Sequence, residues 1–198
     1  MISAGLKDLS LDVVLQAARR EILFFAPPYG NFRKSELISS ALEAALAVPH
    51  GPSLKVFCLP KLDEFTWSRE LMELLRPGMG FEELKGELKD SREFISDLAK
   101  RFPGRVEAYE LRARPNLPVL IVDDDIFFGH FAHSTVQTPA GFWSKQEAPV
   151  EHLFIRVQSG VEPTLAKDKA SFRIIAECAY LMGQAVELVF HHDVKNEV

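Results

Sequence analysis

Acids and histidines that could do chemistry together lie within one short stretch of the chain. Asp123, Asp124 and Asp125 come a few residues before His130 and His133. Because an imidazole titrates near neutral pH, the two histidines could form an acid–base pair, or bind a metal ion that an aspartate completes. A spacing of three along a strand puts the two rings on opposite faces, which disfavours a shared metal. The favoured interpretation is a strand end whose histidines hydrogen-bond to loop backbone.

Two other polar groups resemble metal sites. Three carboxylates in a row supply hard oxygen ligands, but the aspartates lack the glycine and the alternate spacing of an EF-hand loop, so a solvated turn is expected. His191, His192 and Asp193 also resemble a metal cluster, yet their place in the C-terminal tail favours exposed side chains. The sequence therefore predicts no metal and no other cofactor.

A candidate binding loop follows the first predicted strand. Tyr29, Asn31 and Arg33 come after the apolar run 21–26, and ligands of open α/β sheets bind beyond the carboxyl ends of the strands. Arg33 could hold an anionic group there. The segment 27–31 is equally a good turn sequence, so a pocket and a simple turn remain open alternatives.

The composition is that of an ordinary globular domain. Of the 198 residues, 47% are hydrophobic and 26% are charged, and the formal net charge is -5. A single domain over 1–198 is therefore expected. Basic residues such as Arg112 and Arg114 are interrupted by acids such as Glu107 and Glu110. This pattern predicts that nucleic acid is not a partner.

The sequence contains no pattern typical of a secretory signal, a membrane-spanning helix or a disulfide framework. Its start lacks a basic segment followed by an apolar one, and no apolar run reaches the roughly 18 to 20 residues of a spanning helix. Cys58 and Cys178 lie far apart in apolar segments and are expected to be buried free thiols. We therefore expect a cytoplasmic protein that does not bind membranes.

Hydrophobic periodicity predicts the elements that position these residues. Spacings of three and four predict helices, and short apolar runs predict strands. The predicted helices cover 9–20, 35–47, a patch at 71–75, 81–101 and 163–183. The predicted strands cover 21–26, 53–59, 105–111, 117–122, 126–132, 151–158 and 186–190, and 134–150 is predicted to be a long loop.

This order of elements predicts an α/β fold with a mixed, largely parallel β-sheet and helices on both faces. A helix joins the first two strands, as in a right-handed parallel crossover. The strands 117–122 and 126–132 are expected to pair as a hairpin across the aspartate turn. The segment 63–102 is predicted to be a helical excursion, and 185–198 a C-terminal tail.

The segment 105–134 resembles the central part of phospholipase D-like proteins. In that family a strand carries His-x-Lys, and an Asp follows five residues after the Lys. After a tight turn, a second strand ends in Gly-Ser-x-Asn. Here Ile121, Val122 and Asp123 precede a turn and an apolar run that leads to Gly129, and Asp123 has the expected spacing. The resemblance implies a single phospholipase D-like half-domain.

Three positions depart from the family's pattern. Asn116 stands where the nucleophilic His is expected, Pro118 where the Lys is expected, and His130 replaces the Ser after Gly129. An amide cannot form a phosphoryl intermediate, and a proline provides no cation for the transferring group. The resemblance therefore implies that the family's phosphodiesterase activity is lost. If a pocket persists, Asn116, Asp123 and His130 are expected to line it, together with the loop after the first strand.

Three functions remain open at this point. The first is a catalytically inactive phospholipase D-like module that acts as a binding or regulatory protein, as a homodimer that binds a small anionic ligand or a protein. The alternative is an active phosphodiesterase or nuclease in which His130 or His133 replaces the lost histidine. The third is an effector-sensing domain whose DNA-binding partner module is encoded separately.

Overall fold

Eight strands form one sheet in the computed structural model, which describes residues 2–3, 6–25, 30–130 and 142–189. The strands are β1 (Ile2–Ser3), β2 (Glu21–Phe25), β3 (Ser53–Cys58), β4 (Val106–Glu110), β5 (Val119–Val122), β6 (Asp125–Gly129), β7 (Trp143–Glu147) and β8 (Val186–Glu187). The helices are α1 (Leu11–Ala17), α2 (Gly30–Lys34), α3 (Glu36–Ala47), α4 (Thr66–Leu75), α5 (Phe81–Arg101), α6 (Val150–Ser159) and α7 (Ala166–Gln184), and a 3-10 turn covers Leu6–Leu9.

The strand order across the sheet is β1-β7-β6-β5-β2-β3-β4-β8. Among these described strands, β2–β3 and β3–β4 are parallel pairs, and the other neighbouring pairs are antiparallel. The predicted α/β class, with a mixed sheet flanked by helices, is confirmed, but the prediction that the sheet is largely parallel is wrong. A parallel pair needs a long crossover. After β4 the chain instead returns directly into β5 beside β2, and a tight turn leads into β6.

Helix α6 lies where the sequence predicts the strand 151–158. Val150 and Leu153 are buried and Val157 packs against the same core, so apolar residues recur at spacings of three and four on one side. The helix ends at Gly160, whose φ of 69° is in the left-handed region that glycine adopts without strain. The prediction of a strand is wrong because a short apolar run is compatible with the two-residue period of a strand and also with the 3.6-residue period of a helix.

Strand β7 lies inside the predicted loop 134–150. It pairs with β6 along its length, but apart from the buried Trp143 its residues are polar and partly exposed. Lys145 pairs with Asp125 at 2.6 Å, and its ammonium lies over the ring of Phe127. A strand that lacks an apolar run gives no hydrophobic signal, which explains why the sequence predicts a loop.

Two hydrophobic cores lie on opposite faces of the sheet. Ile22 and Phe24 pack in one core with residues of α1 and α3, whereas Leu23 and Phe25 pack in the other with residues of α4, α6 and α7. Alternate residues of a strand point to opposite faces. This arrangement explains why the run 21–26 is apolar throughout.

Helix α5 belongs to both cores. Leu84 and Leu88 pack with α4 and α7, whereas Ile95 and Leu98 pack with α1 and α3. The predicted helical excursion 63–102 is therefore built of α4 and α5 on one face, and its last turns lie on the other face.

Arg92 lies where α5 passes the edge of the sheet. Its guanidinium donates to the carbonyl oxygen of Leu59, just after β3, at 3.0 Å and to the carboxylate of Glu110 at the end of β4. Glu110 is buried and also faces Arg112 at 3.3 Å, and Arg112 in turn bonds Glu64. This network fixes α5 against the carboxyl ends of β3 and β4.

Candidate functional site

The carboxyl edge of the parallel strands carries three of the predicted site residues. Phe25 at the end of β2 lies opposite Val119 at the start of β5, and β5 pairs antiparallel with β6. The start of β5 and the end of β6 therefore lie beside the carboxyl end of β2. Asn116, Pro118 and His130 flank these two strands at this edge, which is where open α/β sheets bind ligands.

Asn116 and Pro118 bring no positive charge to the edge. Asn116 is exposed, and its amide Nδ2 donates to Oε2 of Glu177 on α7 at 3.1 Å. Pro118 is buried, and its carbonyl oxygen accepts the N–H of Gly129 at 3.0 Å. The first residue thus ties the β4–β5 connection to α7, and the second holds the hairpin closed.

His130 is exposed at the end of β6. The ring of His130 stacks on that of Phe142, with 4.8 Å between the ring centroids. The backbone N–H of His130 donates to the carbonyl oxygen of Phe142 at 3.3 Å. The register of β5 and β6 places it beside Leu117, one residue from Asn116. His133, the other half of the predicted acid–base pair, lies outside the described residues.

Asp123 lies at the opposite end of β5. Its Oδ2 accepts the N–H of Arg19 at 2.8 Å, and its Oδ1 accepts the N–H groups of Arg20 at 2.8 Å and Glu21 at 3.1 Å. An extended chain from Asn116 to Asp123 spans about 23 Å. The structure therefore does not bring Asp123 together with Asn116 and His130. Strand β5 lies between them, and its two ends are at opposite edges of the sheet.

The neighbouring aspartates also make structural contacts. Asp124 Oδ1 accepts the N–H of Val150 at 3.2 Å, which caps the start of α6, and pairs with Arg20 at 2.7 Å. This hydrogen bond raises the pKa of Arg20. Asp125 pairs with Lys145. The described ranges contain no group of three or more His, Cys, Asp or Glu side chains arranged to hold a metal, and His191, His192 and Asp193 lie outside them.

The loop after β2 is only partly described. Tyr29 lies outside the described residues, and Asn31 falls in α2 without a described side chain. Arg33 is exposed on α2 and pairs with Glu93 of α5 at 3.8 Å. Arg33 is thus directed towards α5 rather than towards Asn116.

Sequence reasoning missed a cleft of about 650 Å³ between the segment after β3 and the first half of α5. The periodic signal was present, since Lys85, Lys89 and Arg92 recur at spacings of four and three and so share one side of a helix. These residues line a cleft only because α5 crosses the edge of the sheet, and periodicity does not predict that crossing. The cleft is lined by Lys61, Leu62, Asp63, Phe81, Glu82, Lys85, Gly86, Leu88, Lys89, Arg92 and Glu93.

Both cysteines are buried and free, as the sequence predicts. Burial raises the pKa of Cys58 to about 12, and burial likewise raises the pKa of Cys178. A thiol that stays protonated at neutral pH is a poor nucleophile. Neither cysteine is therefore a candidate catalytic group.

These features define an α/β domain with one mixed sheet. No family model matches the chain, and no curated protein does. Nine chains of solved structures match it. One is TrmBL2, an archaeal chromatin protein whose structure is described as showing a novel mode of DNA binding. The likeness covers 95% of this chain and 52% of that chain, with 17% identity and a TM-score of 0.50. This chain thus spans about half the length of that protein.

This likeness corrects one prediction about partners. The chain's charge balance predicts that nucleic acid is not a partner, yet a chain that shares the fold belongs to a DNA-binding protein. A net charge reports on the whole surface and carries no information about a local contact or about a neighbouring domain. The predicted homodimer and the cytoplasmic location stay predictions. Within the described residues, no helix combines the length and the apolar character needed to cross a bilayer.

Proposed function

We propose that this chain is a catalytically inactive phospholipase D-like module that acts as a binding or regulatory protein. The observation that carries the proposal is the place of the β5–β6 hairpin, which lies in the interior of the sheet between β2 and β7 and starts at the carboxyl edge. Asn116 and Pro118 stand there at the two positions where the family's motif has its nucleophile and its cation. A hairpin at the border of the sheet, far from the carboxyl ends of β2 and β3, would count against the kinship.

The contacts of Asn116 support the loss of catalysis. The carboxylate of Glu177 lies 3.1 Å from the amide, and a carboxylate at this place repels the phosphate of a substrate instead of stabilising the charge that develops on it. Arg112 and Arg114, the cations that precede Asn116, pair with carboxylates of the segment around α4. No charge that could replace the lost lysine is thus available from this connection.

Hydrolysis of bis-p-nitrophenyl phosphate by the full chain tests this proposal against the relocated-histidine alternative. We expect no turnover above the buffer rate, and no change in the His130→Ala or His133→Ala variants. His152→Ala is a matched control, because His152 is an exposed histidine on α6. Turnover that disappears in either of the first two variants and persists in the control would establish an active enzyme.

We further propose that the module works in association with DNA. The support is the likeness to TrmBL2, which is described as DNA-binding and of which this chain matches about half. Among the described cations, Lys167 and Lys169 are well placed to contact a phosphate. Neither forms an ion pair with another described residue. Both lie in the first turns of α7, on either side of Asp168, where the helix dipole adds partial positive charge.

A gel-shift titration with a short duplex, repeated at several salt concentrations, tests direct contact. We expect retardation at low salt that weakens as salt rises. A double Lys167→Ala and Lys169→Ala variant should lower the slope of log K against log salt by about 1.8, since each lost phosphate contact removes about 0.9. A double Lys34→Ala and Lys100→Ala variant removes the same charge elsewhere and should keep the slope. Absence of retardation in low salt would refute direct contact.

A further inference from the structure

The cleft beside α5 has an apolar base. It lies at the carboxyl ends of β3 and β4, on the same edge of the sheet as Asn116 and His130, but other residues line it. Leu62 and Leu88 are buried beneath it. Phe81 is 38% exposed at its rim, and the guanidinium of Arg69 lies 5.3 Å from the centroid of its ring. An exposed phenylalanine leaves apolar surface in water, and burial of that surface under a ligand is favourable. The volume of about 650 Å³ falls among the pockets that enclose small organic ligands.

Charged side chains of both signs surround this apolar base without an ion-pair partner among the described residues. Lys61 and Lys85 form no ion pair with another described residue, and neither do Asp63 and Glu82. The cleft therefore offers two cations and two anions to a ligand. A purely anionic ligand would use the lysines but would face the carboxylates, which disfavours it.

The other charged groups of the lining are already engaged. Arg92 is held by the carbonyl oxygen of Leu59 and by Glu110. Glu93 has a cation on each side, with Arg33 at 3.8 Å and Lys89 at 3.7 Å. These groups form the wall of the cleft. The four charged side chains without a described ion-pair partner are the ones that could contact a ligand.

Gly86 is an exposed glycine that lines the cleft. It lies in the interior of α5, where glycine costs about 0.5–1 kcal/mol of stability relative to alanine. A Cβ built on Gly86 would meet no atom within 4 Å, so packing within the described protein does not require the glycine. Because Gly86 lines the cleft, a larger side chain at this position would occupy part of the cleft without displacing described protein atoms.

We propose that this cleft binds a short apolar peptide of about three residues with free termini. Its terminal carboxylate would bond Lys61 or Lys85, its ammonium would bond Asp63 or Glu82, and its side chains would cover the apolar base. Charge-assisted hydrogen bonds of this kind are the strong ones in recognition. The proposal is independent of the kinship with phospholipase D-like proteins.

Isothermal titration of the full chain with trileucine tests the proposal. We expect saturable binding of one peptide per chain. The N-acetylated and the C-amidated peptides should each bind at least about tenfold more weakly, because each lacks one charged terminus. Absence of saturable heat, or equal affinity of either blocked peptide, would overturn the proposal.

Matched variants locate the binding. Gly86→Leu fills the open space and should abolish binding, whereas Gly183→Leu makes the same change at a second helical glycine that has no atom within 4 Å of a built Cβ and should bind normally. Lys85→Ala should weaken binding at least about fivefold, and Lys100→Ala on the same helix should not. Thermal melts confirm that each variant is folded. Normal binding by a folded Gly86→Leu variant would show that the peptide is not in this cleft.

Discussion

Replacement of Asp123 by alanine is expected to destabilise the fold without affecting any ligand site. The carboxylate accepts hydrogen bonds from three consecutive backbone N–H groups, those of Arg19, Arg20 and Glu21. Asp123 itself has a φ of 53°, which aspartate tolerates better than alanine does. Its side chain therefore holds the β5–β6 turn against the start of β2.

The expected loss of stability is about 3–4 kcal/mol. The Asp123 side chain is 23% exposed, so we assign about 1 kcal/mol to each of the three lost hydrogen bonds rather than the full value for a buried charge. The left-handed backbone adds up to about 1 kcal/mol for alanine. For a domain of this size, the change corresponds to a fall in Tm of about 6–16 °C.

Urea denaturation followed by circular dichroism measures this change. Asp125→Ala is the matched control, because Asp125 makes a partly exposed ion pair with Lys145, and its loss should cost less than about 1 kcal/mol. A loss below about 1 kcal/mol for Asp123→Ala would refute the structural role. Loss of ligand or DNA binding with unchanged stability would instead make Asp123 a site residue.

Three further substitutions test other parts of the fold. Glu87→Ala should cost about 3–5 kcal/mol, because it leaves the guanidinium of Arg76 in a largely buried place without its partner at 2.6 Å. Gly129→Ala should cost about 1–3 kcal/mol, because a new Cβ would lie 3.0 Å from ring atoms of Trp143. Burial raises the pKa of Glu21 above its ordinary value of 4.5, so Glu21→Gln should be more stable than the natural protein at pH 7. This gain should vanish as the pH falls below that ordinary value, where the carboxyl is neutral in both states.

Urea denaturation measures all three substitutions, and the first two have a matched control. Glu73→Ala breaks an exposed pair with Arg69 and should cost less than about 0.5 kcal/mol. A Cβ added at Gly86 has no atom within 4 Å. Gly86→Ala should therefore stabilise the chain, whereas Gly129→Ala should destabilise it. Equal costs for Glu87→Ala and Glu73→Ala, or a Glu21→Gln variant less stable at pH 7, would contradict these contacts.

The sequence predicts individual elements better than their arrangement. The predicted helix 81–101 coincides with α5, and the run 21–26 contains β2, because hydrophobic period is a local property. The hairpin of β5 and β6 also follows locally from the aspartate turn. Whether β5 lies parallel or antiparallel to β2 depends on contacts between distant segments, which no local pattern encodes.

The candidate site was predictable in part. Asn116 and His130 lie at one edge because a hairpin brings the start of its first strand beside the end of its second. The distance between Asn116 and Asp123 also follows from the sequence, because seven residues of extended chain span about 23 Å. The cleft beside α5 was not predictable, because it forms only where that helix crosses the edge of the sheet.

The rate of p-nitrophenolate release from bis-p-nitrophenyl phosphate, measured with the full chain at high concentration, tests the central claim most directly. An inactive module predicts a rate equal to that of buffer with and without added divalent cations. A rate above buffer that rises in proportion to protein concentration and is lost on substitution of His130 would contradict the account.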